Sequence, residues 1–251
     1  KWHRYVTVVY QINRDSVRLL WLGEHRRAKT LLRFFRWFNK ERTSQLEYIC
    51  SDMWRPYLKV IAKKANQAIH ILDRFHIMMH LNKAIDKVRA TEAKHLATKG
   101  YMPVLKKSRW LLLKRPQNLT DKQDVSLATL LQFNLKTVRS YLLKEDFQCF
   151  WHYRSAYWAG QFLDRWCTRA MRSRIEPMQQ VAKMLRRHRE LILNWFRAKK
   201  AFSSGIVEGL NGKAKVTTRK AYGYKTFKML EIALYHSLGA LPEPETTHEF
   251  F

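Results

Sequence analysis

The first hundred residues of this 251-residue chain and the hundred that follow keep different periodicities, and that change constrains the fold more than any one motif. Tyr5-Val6-Thr7-Val8-Val9-Tyr10 and Val17-Arg18-Leu19-Leu20-Trp21-Leu22 are β-branched and aromatic runs separated by the turn-forming Asn13-Arg14-Asp15, which predicts a hairpin. Within Lys29 to Asn39, the spacing of Leu31, Leu32, Phe35 and Phe38 predicts an amphipathic helix. A strand at Leu46 to Cys50 follows, ending at Ser51-Asp52. Next come a helix from Trp54 to Ala65 that accepts Pro56 in its first turn, a strand from Ala68 to Leu72, and a long helix from Phe75 to about Lys94. This order of strands and helices is that of an α/β unit.

From about Lys106 to Lys200 the period is helical throughout. Pro103, Pro116 and Pro177 punctuate it, and Leu127 to Leu143, Phe147 to Arg172 and Pro177 to Arg197 each read as a helix. An all-helical insertion in an α/β domain is expected. The boundaries are then 1–100 for the first part of the core, 101–202 for the insertion, 203–240 for a closing helix capped by Ser203 or Ser204, and 241–251 for a tail. Trp151, Tyr153, Tyr157 and Trp158 are spaced as helix core, with stacking on bases as the other use open to a minority of them.

Charge narrows the partner. Lys and Arg number 48 against 20 Asp and Glu, a formal net charge of +28 that a polyanion would screen. Nucleic acid leads and an anionic membrane surface comes second. A membrane-spanning reading fails because the longest apolar stretches, such as Trp110 to Leu113, fall far short of the roughly 20 residues a spanning helix needs. Cys50, Cys149 and Cys167 are isolated and odd in number, which fits a reduced cytoplasmic compartment better than a disulfide scaffold. No signal peptide is visible, and the start at Lys1-Trp2-His3 reads as a piece of a longer product.

Three places could carry chemistry. In the closing helix, Val207, Leu210, Ala214, Thr217 and Ala221 recur as a buried face. On the adjoining stripe, Glu208, Asn211, Lys215, Arg219 and Tyr222 set one carboxylate among cations, a layout suited to holding a metal beside a phosphate backbone. A surface ion pair of Glu208 with Lys213 or Lys215 is the plainer explanation. Asp52 stands where a strand gives way to a helix, the end of a strand at which ligand groups gather, and Ser51 or Asp52 could equally cap that helix. Asp73 and His76 open the next helix, as a cap and its neighbour or as a pair bordering the same crevice.

Taken together, Cys50-Ser51-Asp52-Met53-Trp54-Arg55-Pro56-Tyr57, Leu72-Asp73-Arg74-Phe75-His76, and Gly205-Ile206-Val207-Glu208-Gly209-Leu210-Asn211 with Arg219-Lys220-Ala221-Tyr222-Gly223-Tyr224 resemble the ISL-three group of bacterial insertion-sequence transposases. The resemblance covers nearly the whole chain, including Tyr141-Leu142-Leu143-Lys144-Glu145 and Trp166. It implies an RNase H-like mixed sheet with a helical insertion before the closing catalytic helix, and a set of two Asp and one Glu holding two divalent ions, Mg²⁺ or Mn²⁺. Asp52 matches the second Asp, Glu208 the Glu, and Asp73 with His76 a D-x-x-H signature. Asn211, Lys213, Lys215, Arg219, Lys220 and Tyr222 match a polar face expected near DNA.

The implied activity is cutting and joining of DNA at the terminal inverted repeats of an element and at its target. It would take place in the bacterial cytoplasm, by a homo-oligomer when intact on DNA, with no membrane partner. The first Asp of the set is expected on a strand just upstream of His3-Arg4-Tyr5-Val6-Thr7, and Asp15 is a poor substitute. The expectation is therefore a sheet lacking its first strand and a chain inactive by itself. A basic nucleic-acid-binding protein without catalysis is the alternative.

Overall fold

The structure is a computed structural model that describes residues 5–13, 16–199, 204–220 and 224–241. Asp15, Ser203, Tyr222 and the expected tail beyond Leu241 lie outside the described residues, as does the side chain of Lys220. The fold is mixed α/β and mostly helical, with small sheets. In chain order the strands are β1 (Val6–Ile12), β2 (Val17–Glu24), β3 (Tyr48–Ser51) and β4 (Ile69–Leu72). The early helices are α1 (Ala28–Phe38), α2 (Lys40–Ser44), α3 (Arg55–Lys64) and α4 (Arg74–Thr98). The rest are α5 (Arg109–Leu113), α6 (Asp121–Leu131), α7 (Lys136–Gln148), α8 (Ala156–Arg172), α9 (Glu176–Arg187), α10 (Arg189–Arg197), α11 (Ser204–Lys220) and α12 (Phe227–Leu238).

Among the described residues the strands form two separate two-stranded sheets, β1 with β2 and β3 with β4, where a single mixed sheet was expected. The chain divides into two compact units: 1–49, 53–68 and 203–251 in the first, 50–52 and 69–202 in the second.

In the first unit the antiparallel hairpin is covered on both faces. Leu19 and Leu22 pack with Leu210, Leu234 and Leu238 of α11 and α12. Leu20 and Trp21 pack with the cluster of Leu31, Phe34, Phe35, Val60 and Ile61 from α1 and α3. Strict alternation would separate Leu20 from Trp21. The register slips between Val9 and Tyr10, leaving Leu20 as an extra residue in β2, and such a bulge re-aims neighbouring side chains. Gly23 is required here, because a Cβ would collide with the Trp21 ring and lie 2.6 Å from Thr30 Cγ2. On α11, Leu210 is buried and Val207, Ala214 and Thr217 are half-buried, as their spacing predicts, while Ala221 lies outside the described residues.

The second unit has its own core. Ile77, Leu81, Ile85 and Val88 form the buried stripe of α4, and Phe147, Phe150, Trp151, Trp166 and Phe196 form an aromatic cluster. The helical periodicity holds but its segments are shorter than predicted. Leu127 to Leu143 is broken at 132–135, because the Glu92 carboxylate accepts from Lys136 N (2.9 Å) and Thr137 N (2.8 Å) and so caps α7 from a different helix. Phe147 to Arg172 is broken at 153–155, where Ser155 Oγ accepts from Tyr157 N at 3.2 Å. Pro177 to Arg197 becomes α9 and α10, hinged at His188. Among the described residues no helix is long and apolar enough to cross a membrane.

The aromatic prediction divides. Trp151 is buried and Tyr153 half-buried, but Tyr157 and Trp158 are 65% and 58% exposed. They occupy the first turn of α8, on the side opposite its buried face of Phe162, Leu163, Trp166 and Ala170.

Candidate active site

In the second unit, the expectation that Asp52, Asp73 and His76 border one strand-end crevice meets a defined geometry. Strands β3 and β4 pair, and just past the end of β4 Asp73 N donates to the carbonyl of Ser51, the last residue of β3, at 2.9 Å. Asp52 follows Ser51 directly, so Asp52 and Asp73 leave the carboxyl ends of neighbouring strands. The N-cap position of α3 falls to Trp54 and not to Ser51 or Asp52; the Trp54 side chain makes no cap hydrogen bond, and Pro56 sits in the first turn.

Asp73 does cap its helix. Its Oδ1 accepts from Phe75 N at 2.8 Å, and its Oδ2 lies 2.7 Å from His76 Nδ1. A carboxylate can only accept in this contact, so His76 Nδ1 carries a proton and donates it to Asp73. Asp73 therefore spends one oxygen on the helix terminus and the other on orienting His76. One turn on, His80 has its pKa lowered by burial and then by the charges of Lys83 and His76.

Two residues, Ser51, read from the sequence as a possible cap, and His70, whose lone position in an apolar run reads as structural, position this strand end. Ser51 Oγ lies 2.7 Å from His70 Nε2 and donates to the Asp52 carbonyl at 2.9 Å. The relay runs from the imidazole N–H to the hydroxyl to the backbone of Asp52. His70 is buried, and burial pushes its pKa down to about 4, so the ring is neutral. Its own carbonyl accepts from Asn194 Nδ2 of α10 at 2.8 Å. A histidine in the middle of the apolar run Ile69-His70-Ile71-Leu72 was the available signal for this buried polar tie.

Glu208 lies in the first unit, on the exposed face of α11. The predicted ion pair with Lys213 or Lys215 is not formed; among the described residues Glu208 makes no hydrogen bond or salt bridge. Lys213, Lys215 and Arg219 are exposed along the same helix. Asn211 is held from below, its Oδ1 accepting from Tyr10 OH of β1 at 3.1 Å. Burial raises the Tyr10 pKa to about 12, which keeps that hydroxyl a donor. Beside Glu208 the helix surface is bare, for a Cβ added at Gly209 or Gly212 would meet nothing within 4 Å.

The donor chemistry of Asp52 and Glu208 is that of hard carboxylate oxygens, which suits Mg²⁺ or Mn²⁺. Asp73 fits the part of a positioning group, since both of its oxygens are engaged. Among the described residues no group of three or more His, Cys, Asp and Glu is placed to hold an ion.

A family model described as transposase matches residues 1–234. The chain is 32% identical over 227 residues to the transposase for insertion sequence element IS1001 of Bordetella parapertussis, which covers 90% of this chain and 55% of that protein. It is 29% identical over 246 residues to the transposase for insertion sequence element IS1557 of Mycobacterium tuberculosis, covering 89% and 54%. The chain thus spans about half the length of these curated relatives. No solved structure matches it.

Proposed function

The chain belongs to the ISL-three family of insertion-sequence transposases, and we propose on that footing that it carries part of a DDE-type catalytic core that cuts and joins DNA at element ends. The observation that carries this reading is the strand-end arrangement: Asp52 and Asp73 at adjacent strand ends, with Asp73 orienting His76 and the His70–Ser51 relay holding the Asp52 backbone. In this reading the fold is RNase H-like, 101–202 is its helical insertion, and α11 is the closing helix.

Asp52 and Glu208 would each hold a divalent cation, Mg²⁺ or Mn²⁺. Two such ions in the intact set supply a lowered pKa for the attacking hydroxyl and charge stabilisation of the departing 3′-oxygen. The chain's own groups do the rest. Asp52 presents its carboxylate from a backbone held by Ser51 just past the end of β3. Asp73 accepts from His76 Nδ1 and so orients the imidazole at the strand end. Lys213, Lys215, Arg219 and Lys220 neutralise phosphates of the terminal inverted repeats or of target DNA, with Asn211 and Tyr222 as polar contacts. A homo-oligomer on DNA belongs to the same reading.

Calorimetric titration of Mg²⁺ or Mn²⁺ into the chain, Asp52→Ala and Glu208→Ala is the test. Weaker binding in both variants is expected. Equal affinity in all three proteins would sink the proposal and favour a nucleic-acid-binding protein without catalysis. Two carboxylates of the implied three are assigned within these 251 residues, so the chain alone is expected not to cleave. Mg²⁺-dependent cutting of an element-end duplex by it would overturn that part.

A further inference from the structure

Helix α8 carries two faces of opposite character. Its buried face is complete: Ala159, Phe162, Leu163, Trp166, Cys167 and Ala170 are all enclosed in the second unit. The other face reads Trp158, Gln161, Arg165, Arg169 and Arg172, at successive steps of three and four residues, all exposed. The stripe is about 21 Å long at 1.5 Å per residue, the span of a few nucleotides of extended strand.

At its head Tyr157 and Trp158 meet edge to face, with ring centroids 5.1 Å apart and planes at 77°. That arrangement leaves a broad ring face open to solvent. A large exposed aromatic pair is uncommon on a helix whose core side is already filled, and it marks a surface that something covers.

The cations that follow have no acidic counterweight along much of the stripe. Arg165 and Arg172 make no salt bridge among the described residues; Arg165 Nε donates only to the Gln161 carbonyl of its own helix. Arg169 pairs with Asp146. Across from the stripe, Arg186 of α9 adds a cation, its Nη2 donating to Thr168 Oγ1 at 3.2 Å. Asp164, the nearest carboxylate on α8, is taken up by Arg189 at 2.9–3.3 Å. An open cleft of about 680 Å³ runs beside these groups, lined by Phe162, Asp164, Arg165, Thr168, Arg169 and Arg172.

Stacking platforms beside a row of guanidinium groups are the chemistry of single-stranded nucleic acid: ring faces take unpaired bases of any sequence and arginines track the phosphates. We infer that the exposed face of α8 is a binding site for unpaired DNA, with Trp158 and Tyr157 stacking on bases and Arg165, Arg172 and Arg186 holding the backbone. The choice of DNA rests on the proposed function; the stacking and the charge row stand on α8 itself. Duplex has its bases stacked already and would use the arginines alone.

The test is fluorescence anisotropy of the whole chain with a short labelled single-stranded oligodeoxynucleotide and with its duplex. Tyr157→Ala and Trp158→Ala are expected to weaken single-strand binding about five- to a hundred-and-fifty-fold per lost stack and to leave duplex binding nearly unchanged. Trp158→Phe keeps a ring and should retain most of the affinity. Arg165→Ala and Arg172→Ala should weaken both forms and each lower the salt slope by roughly one. Measuring the same preference in EDTA separates this inference from the proposed chemistry, because stacking and charge on α8 need no divalent ion; the preference for the single strand should persist. Single-strand affinity unchanged in the Tyr157 and Trp158 variants overturns the inference. So does a parent chain that binds no single strand, or an aromatic pair whose loss dissociates an oligomer without touching DNA affinity.

Discussion

The strand end bearing Asp52 and the face of α11 bearing Glu208 carry the two carboxylates of greatest interest, and they are built on opposite plans. Around Asp52 the polar groups are tied down: Ser51 to His70, His70 to Asn194, Asp73 to Phe75 and His76. Around Glu208 the surface is open, two glycines leave the helix bare, and Asn211 is braced from beneath by Tyr10. The first region is organised before any ligand arrives. The second presents charge and close backbone access, which a bulky polyanion can use.

Acid stability should break the symmetry most strongly. His70 is neutral in the fold with a pKa near 4, while the unfolded ring titrates near 6.5, so the stability it contributes is complete above pH 6.5 and is lost as pH falls toward 4. The loss over that window is about 3 kcal/mol, readable in urea melts at a series of pH values. His70→Gln should flatten that dependence, and an unchanged pH profile would show that another group sets it. No comparable effect is expected from any group around Glu208.

Asp73→Ala removes the cap of α4 and the partner of His76, and should cost about 1–2 kcal/mol in the same melts. Glycine replacement on α11 should go the other way. Gly209→Ala and Gly212→Ala fill empty space in a helix and should each stabilise by about 0.5–1 kcal/mol. Weakened duplex DNA binding by these stabilised variants would reveal close approach at that face. Smallest of all, Glu208→Ala should shift stability within about 0.5 kcal/mol, since it has no partner to lose among the described residues. A large loss there would mean that Glu208 is structural.

Much of the secondary structure was legible because burial imposes a period. The hairpin, β3, β4, the α4 stripe and the apolar stripe of α11 follow from residues alone, and so does the cap at Asp73, whose side chain reaches only two residues ahead. The helix breaks were not legible. Glu92 caps α7 from 44 residues away, and nothing in the local sequence at 132–135 announces it. Tyr157 and Trp158 have the same spacing as core residues, so their exposure depended on which side of α8 found the aromatic cluster. The bulge that puts Leu20 beside Trp21 follows from pairing with β1.

The residues by themselves determined family membership and the excess of positive charge, and they supplied the proposed carboxylates Asp52 and Glu208, because these depend on side-chain type and order. Tertiary structure alone decided that His70 and Ser51 brace Asp52, that Tyr10 holds Asn211, that Glu208 has no ion-pair partner among the described residues, and which aromatics face water. Those outcomes depend on contacts between segments distant in sequence, where a hydrogen bond or a buried ring is available only after the chain has packed.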